Sequence, residues 1–412
     1  MASVFSAIGN WINERAPGLV PVYRKHMSEY YAPKNFNVWY YFGSLALLVL
    51  VNQIVTGIFL TMFYKPDASL AFASVEYIMR DVDWGWLIRY MHEVGASMFF
   101  IVVYLHMFRA LLYGSHRKPR ELLWIFGCLI FLVLMAEAFM GYVLPWGNMS
   151  FWGAQVITSL FGSIPVIGGA LLEWIRGDFV IADATLNRFF ALHVAALPLA
   201  LLLLVAVHLT ALHETGSNNP DGIEIHDHED EQGRPLDGIP FHPYYTVKDL
   251  VGVMGFLIIF FGIIFFAPSF GGLFLEPANF EPANPMQTPP HIAPVWYFTP
   301  FYAMLRAVPS FMGTQVWGVL VMGAAILVLF FLPWLDRSPV RSIRYRGPIY
   351  KIMLAIFVVS FVILAVCGMK PPAGIYPMLA RVCTVLYFAF FLLMPWYTRI
   401  DPVKPVPQRV TG

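Results

Sequence analysis

RYMHEVGASMFFIVVYLHMFR, residues 89–109, is the stretch on which the fold turns. It is an apolar run with a histidine near each end, His92 and His106, and an arginine beyond each, Arg89 and Arg109. Such a run is long enough to cross about 30 Å of hydrocarbon as a helix. An ionisable side chain inside it is costly unless it faces a partner or a ligand. On an α-helix the 14-residue step between the histidines leaves them about 40° apart in azimuth and about 21 Å apart along the axis. One face of one helix therefore carries a donor near each membrane surface.

The surrounding chain is of the same kind. Of its 412 residues, 58% are hydrophobic and 12% charged, against roughly a quarter charged in a globular average. Mean hydropathy is +0.65. Apolar stretches of spanning length recur near 38–63, 84–112, 122–144, 186–212, 248–268, 314–335, 349–369 and 377–397, which predicts an all-α integral membrane protein of eight transmembrane helices with both termini on one side. Counted over alternating loops, the side of the termini holds 17 Lys and Arg and the opposite side 8, with Arg109 closing the second span. That bias places the termini in the cytoplasm or an equivalent matrix. A net charge of +1 leaves no field to hold nucleic acid. The three cysteines, Cys128, Cys367 and Cys383, lie far apart in apolar runs, in no CxxC or CxxCH arrangement, and so supply neither an iron–sulfur cluster nor covalent haem attachment.

Between the spans, residues 1–37 read as a polar lead-in, not a signal peptide. Residues 148–183 hold two short apolar segments broken by Ser163, Pro165, Gly168 and Gly169, expected as helices lying on the outer membrane surface. Residues 268–300 contain eight prolines and a doubled EPAN, which excludes regular helix or sheet and predicts an external loop. His226–Glu231 reads as a solvated loop. The expected organisation is a cytoplasmic segment 1–37, a four-helix bundle 38–213, a loop 214–247, a four-helix domain 248–397 and a tail 398–412.

The fourth span repeats the pattern of the second. His193 and His208 are 15 residues apart, about 60° in the other sense and about 22.5 Å along the axis. The two spans run in the same direction, so His92 comes level with His193 and His106 with His208. A single histidine in a span is more often a proton-relay or helix-contact residue; four at matched depths form two stacked bis-histidine sites. Two imidazoles suit a haem whose iron is coordinatively saturated and passes electrons, whereas zinc asks for more ligands than each site offers. Glycines keep the same period: Gly43 and Gly57 on the first span, Gly127 and Gly141 on the third, each pair 14 apart. Close helix packing is the ordinary use of small residues in spans; at these depths they are expected to admit the edge of a flat macrocycle. Spans one to four thus read as a bundle holding two non-covalent haems. Arg89 and Arg109, each one turn toward the nearer surface, either snorkel or pair with haem propionates.

From about Trp39 to the last span the chain resembles cytochrome b of the respiratory cytochrome bc complexes. The resemblance is carried by RYMHEVGASMFF (89–100), AFMGYVLPWGNMSFWGA (138–154), RFFALH (188–193), LHETGSNNP (212–220), FHPYYTVKD (241–249) and PVWY (294–297). It implies a low-potential haem on His92 and His193 near the outer surface and a high-potential haem on His106 and His208 near the inner one. It implies an outer quinol-oxidation pocket walled by Tyr142, the short helix around Gly153, Pro294, Trp296 and Tyr297, and an inner quinone-reduction pocket with His213, Lys248, Asp249, Ser217 and Ser44. Without the resemblance, His213 reads as a helix cap and Lys248–Asp249 as a helix start.

Three departures matter. The family's PEWY is PVWY here, and Val295 replaces the glutamate that accepts a quinol proton. Glu137, in the third span five positions before Tyr142, is expected to substitute for it, with Glu173 as the fallback. The 15-residue histidine spacing, shared with the chloroplast type, is expected to be absorbed near Pro198 by a kink or π-bulge. Because all eight spans are in one chain, the resemblance favours the respiratory type: a proton-translocating ubiquinol–cytochrome c reductase subunit of a bacterial inner membrane. It implies a Rieske iron–sulfur protein, a membrane-anchored c-type cytochrome and a homodimeric complex. The rival readings are a dihaem quinone-reactive anchor of another oxidoreductase and a transporter with a histidine relay.

Overall fold

The computed structural model describes residues 2–25, 29–310 and 314–411. Long apolar runs in hydrocarbon must satisfy their backbone within the segment, which leaves only the helix. Spans one to seven are Val38–Thr61, Gly85–Tyr113, Glu121–Val143, Asp183–Thr215, Phe241–Phe266, Val316–Leu335 and Pro348–Met369. The eighth, expected as one run over 377–397, is bent: Tyr376–Leu392 and Met394–Ile400 meet at 60°. Pro395 enters the second piece in its first turn, where its missing N–H and its ring break continuity with the preceding turn.

The first span packs along the second and the third along the fourth, while the fifth leans on the first two. The seventh and eighth pack together, and a buried helix the sequence reading overlooked, Thr299–Ala307, wedges among the last three. A second overlooked helix, Ala71–Arg80, follows the first span. The two surface segments form Asn148–Gly162 and Gly168–Arg176 as expected.

Two segments carry more local structure than their composition suggested. Of the lead-in, apart from residues 1 and 26–28, which lie outside the described residues, Ala2–Arg15 and Leu19–Tyr23 are helical. Val4, Ile8 and Trp11 fall three and four apart on one exposed stripe, a helical period that the polar composition masked. The proline-rich segment also carries local structure. Phe270–Gly272, Pro277–Phe280 and Trp296–Phe298 are 3₁₀ turns, and Pro282 pairs with Gly147 in an antiparallel bridge. Pro277 opens its turn, a position where a lost N–H costs nothing.

On the side of the termini, polar ties join distant parts of the chain. Tyr31–Pro33 pairs antiparallel with Gly238–Pro240. Asp237 takes Arg409 at 2.7 Å and Lys34 at 2.9 Å, and Asp221 takes Arg344 at 2.9 Å and Tyr345 at 2.7 Å. Glu224 receives a two-pronged contact from Arg120 at 2.6 and 2.7 Å and one from Arg341 at 2.5 Å. Asp336 is enclosed by Arg346 at 2.5 Å and His116 at 2.9 Å. Buried carboxylates persist only when so paired.

Candidate functional site

The four intramembrane histidines meet in the expected pairs. The rings of His92 and His193 lie 6.1 Å apart between centroids at 86°, and those of His106 and His208 lie 6.3 Å apart at 60°. A π-helical turn, Leu192–Ala196, contains His193 and takes up one residue. The 15-residue spacing thereby keeps the phase that levels His193 with His92 and His208 with His106. Phe100, Tyr104 and Phe131 form an aromatic cluster that packs toward Tyr297, Phe361 and Phe301.

A glycine stands behind each ring. A Cβ on Gly57 would lie 3.3 Å from His92 Cε1, one on Gly43 3.3 Å from His106 Cε1 and one on Gly127 3.4 Å from His208 Cε1; on Gly141 it would run into the His193 ring. The glycines thus leave room for the imidazoles of the neighbouring helix.

The residues present fit a metal held by two imidazoles. Two metal–nitrogen bonds of about 2.0–2.1 Å, plus about 1.1 Å from each nitrogen to its ring centre, come to about 6.3 Å, which both centroid separations match. The outer pair is also set in the right tautomer. Thr56 Oγ1 spends its proton on the Asn52 carbonyl at 2.6 Å, so at 2.9 Å it accepts from His92 Nδ1. His193 Nδ1 lies 3.0 Å from the Glu137 carbonyl. Both outer rings therefore keep Nε2 free as the donor. Gln53, which hydrogen-bonds the His92 carbonyl at 2.9 Å, steadies the backbone there. Nδ1 of His106 has no hydrogen-bond partner, and the His208 ring meets only the Leu123 backbone. Arg89 reaches Glu93 only at 3.8 Å, and Nε of Arg109 has no partner; both guanidiniums suit an anionic substituent on the bound group. We expect Gly127→Val to crowd His208 by about 1–3 kcal/mol. A haem held by His106 and His208 should then bind roughly five- to 160-fold less tightly, with the site at His92 and His193 unaffected, as checked by haem content per chain in reduced-minus-oxidised spectra.

Toward the outer end a second cluster forms. Tyr142 donates to Glu276 Oε2 at 3.1 Å, and Asn279 Nδ2 reaches Tyr142 Oη at 2.9 Å and Glu276 at 3.3 Å. Burial, opposed by these bonds, pushes the Glu276 carboxyl up to about 7. Glu93 and Tyr297 also lie within electrostatic range of it. A Cβ on Gly153 would touch the Tyr142 ring at 3.8 Å. Pro294 leads into Val295, which is buried, and the segment is pinned to the second span. Trp296 donates to Ser97 at 3.1 Å, Tyr104 donates to the Tyr297 carbonyl at 2.6 Å, and the Tyr297 ring stacks on Phe100 at 3.9 Å. Glu137 points elsewhere: its Oε1 is 3.0 Å from His193 Nδ1. Glu173 is exposed on its surface helix. Glu276 escaped the sequence reading because its partner is 134 residues away; the signal was there in the repeat, EPAN followed by EPAN.

The inner candidates also converge. Asp249 accepts from Tyr40 and from Ser44, both at 3.1 Å. Ser217 bonds Tyr30 at 3.0 Å, Tyr30 stacks on His213 at 4.8 Å, and Lys248 lies over the Tyr245 ring at 4.9 Å. Tyr30 and Tyr40, which sequence reasoning passed over, thus link the two halves of the cluster. Together these groups can hydrogen-bond and protonate a flat oxygen-bearing ring.

Comparison with known proteins bears on the family and the fold. The family model described as Cytochrome b/b6/petB matches residues 27–216, and that described as Cytochrome b(C-terminal)/b6/petD matches residues 282–388. The chain is 66% identical over 409 residues to cytochrome b of Allochromatium vinosum, covering 98% of each. It is 51% identical over 403 residues to that of Rhodospirillum rubrum, covering 98% of this chain and 95% of the relative. Among solved structures, a chain titled Hyperthermophilic respiratory Complex III superposes with a TM-score of 0.86 at 41% identity, over 95% of this chain and 99% of that one.

Proposed function

The chain belongs to the cytochrome b family, and from that premise we propose that it is the dihaem, quinone-reactive subunit of a quinol–cytochrome c oxidoreductase in a bacterial inner membrane. The observation that carries this reading is the pair of glycine-backed histidine sites, each with ring centres about 6 Å apart, within 6.1 and 6.3 Å as measured. Bound at His92 with His193 and at His106 with His208, two b-type haems would supply a one-electron path across the membrane.

The chain's own residues do the rest. At the outer side Tyr142, Pro294, Trp296, Tyr297 and the helix at Gly153 wall the pocket that takes quinol. Oxidation makes the phenolic protons acidic, and a base within hydrogen-bond reach is needed. Of the two carboxylates that could replace the missing PEWY glutamate, Glu137 is held on His193 and Glu276 on Tyr142; we assign the proton to Glu276. One of the two electrons leaves to a Rieske iron–sulfur partner and onward to a c-type cytochrome, and the other goes inward. At the inner side His213 and Asp249 face the two carbonyls of quinone, with Ser44, Ser217 and Lys248 around them, and protons enter from the cytoplasm. Arg89 and Arg109 pair with haem propionates. Residues 38–213 form the dihaem unit and 248–397 the unit that completes the outer pocket. The complex is expected to be a homodimer.

The test is a redox-monitored optical titration of the purified complex. It is expected to resolve two b-type components of different midpoint and to accompany quinol-dependent reduction of cytochrome c. Absence of b-type bands would overturn the reading.

A further inference from the structure

The two histidine pairs differ in one respect that the ligand set does not require. On the outer pair both Nδ1 atoms are engaged, His92 by Thr56 at 2.9 Å and His193 by Glu137, through its carbonyl and its carboxyl Oε1, each at 3.0 Å. On the inner pair His106 Nδ1 has no partner and His208 meets only the Leu123 backbone; neither ring touches a carboxyl. A metal-bound imidazole that donates its second N–H becomes a more basic ligand, and a carboxylate is the strongest of the common acceptors. The carbonyl alone suffices to orient the His193 ring, so the added Glu137 carboxyl acts on the ligand's electron density through the ring it touches. Its other oxygen, Oε2, is buried without a partner, a cost that packing does not repay.

Resting on the dihaem reading above, we propose that Glu137 is a positioning residue whose contact with His193 lowers the potential of the outer haem relative to the inner one. The electron concerned comes from quinol and converts the outer iron from ferric to ferrous. It adds one negative charge beside a ligand already made electron-rich, and that opposes reduction. Arg89 does not cancel the effect, because in the reading above it is committed to a haem propionate. Glu137 would then widen the potential step between the layers.

The experiment is a redox titration of the whole complex carrying Glu137→Ala, followed optically at the two b-type components. The expected result is an outer midpoint raised by the equivalent of about a tenfold easier reduction, 59 mV for one electron, with the inner midpoint unmoved. The His193 ring keeps the backbone acceptor in this variant. An unchanged outer midpoint with both haems present would overturn the proposal. If the alanine variant loses the outer haem, Glu137→Gln, which preserves volume, is titrated instead. The same upward shift supports the proposal, and selective loss of the outer haem there too overturns it by making Glu137 a folding residue. A wild-type complex without b-type bands would instead sink the dihaem reading, so the two failures are distinguishable.

Discussion

His92→Leu is expected to halve the haem content of the purified complex, from two b-type haems per chain to one, and to lower quinol–cytochrome c electron transfer more than a hundredfold. His92 has its Nδ1 committed to Thr56 and its ring backed by Gly57, so its remaining nitrogen is placed to bind metal. Leucine fills the same space with no donor. The remaining imidazole, His193, cannot saturate an iron alone, and no other described histidine is paired with it. The inner pair stands about 21 Å away along the axis and should keep its haem. The measurement is pyridine haemochrome quantitation with reduced-minus-oxidised spectra: one b-type component should vanish while the other keeps its midpoint. Retention of both components would exclude His92 as a ligand.

The second large effect falls on Glu276. With Glu276→Gln, quinol oxidation is expected to slow by about 100-fold, at the lower end of what a positioned general base contributes, with both haems retained. The pH dependence supplies the sign. Burial raises the carboxyl to about 7, and only its ionised form can take a proton. In the unmodified complex the rate should therefore climb as pH rises through about 7 and fall on the acid side. The glutamine variant should lose that limb and be flat across the same window. Tyr142, Tyr297 and Glu93, the other titratable groups near Glu276, are unchanged by the substitution and so provide the internal control. If Glu276→Gln keeps both the rate and the acid limb while Glu137→Gln loses them, the proton belongs to Glu137 after all.

The parts legible in the sequence were those with a period. The eight spans, the matched steps of His92–His106 and His193–His208, and the glycines behind them repeat at helical intervals, and helix geometry converts such intervals directly into positions. The extra residue in the fourth span was legible too, as a phase error that a π turn could repair. What escaped were contacts made between segments remote in sequence. Glu276 belongs to a proline-rich loop with no period, and only the closure of that loop onto the third span makes it the partner of Tyr142. Tyr30 comes from the polar lead-in and Tyr40 from the start of the first span, and no local pattern announces their link to Ser217 and Asp249. Glu137 was noticed for the right reason, a carboxyl too costly to bury idly, yet a helix position alone could not say whether it faced Tyr142 or His193.

The ties on the side of the termini bear on how many polypeptides this architecture needs. A backbone cut within His226–Glu231 would sever one covalent link and leave Tyr31–Pro33 on Gly238–Pro240, Lys34 on Asp237, Asp221 on Arg344, Glu224 on Arg341 and His116 on Asp336. Each of these joins a residue before the cut to one after it. The two family models meet the chain on either side of the same region, at 27–216 and 282–388. The molecule is in this sense a heterodimer written as a single sentence: its halves are fastened by recognition, and the connecting loop serves chiefly to guarantee that they are made in equal number.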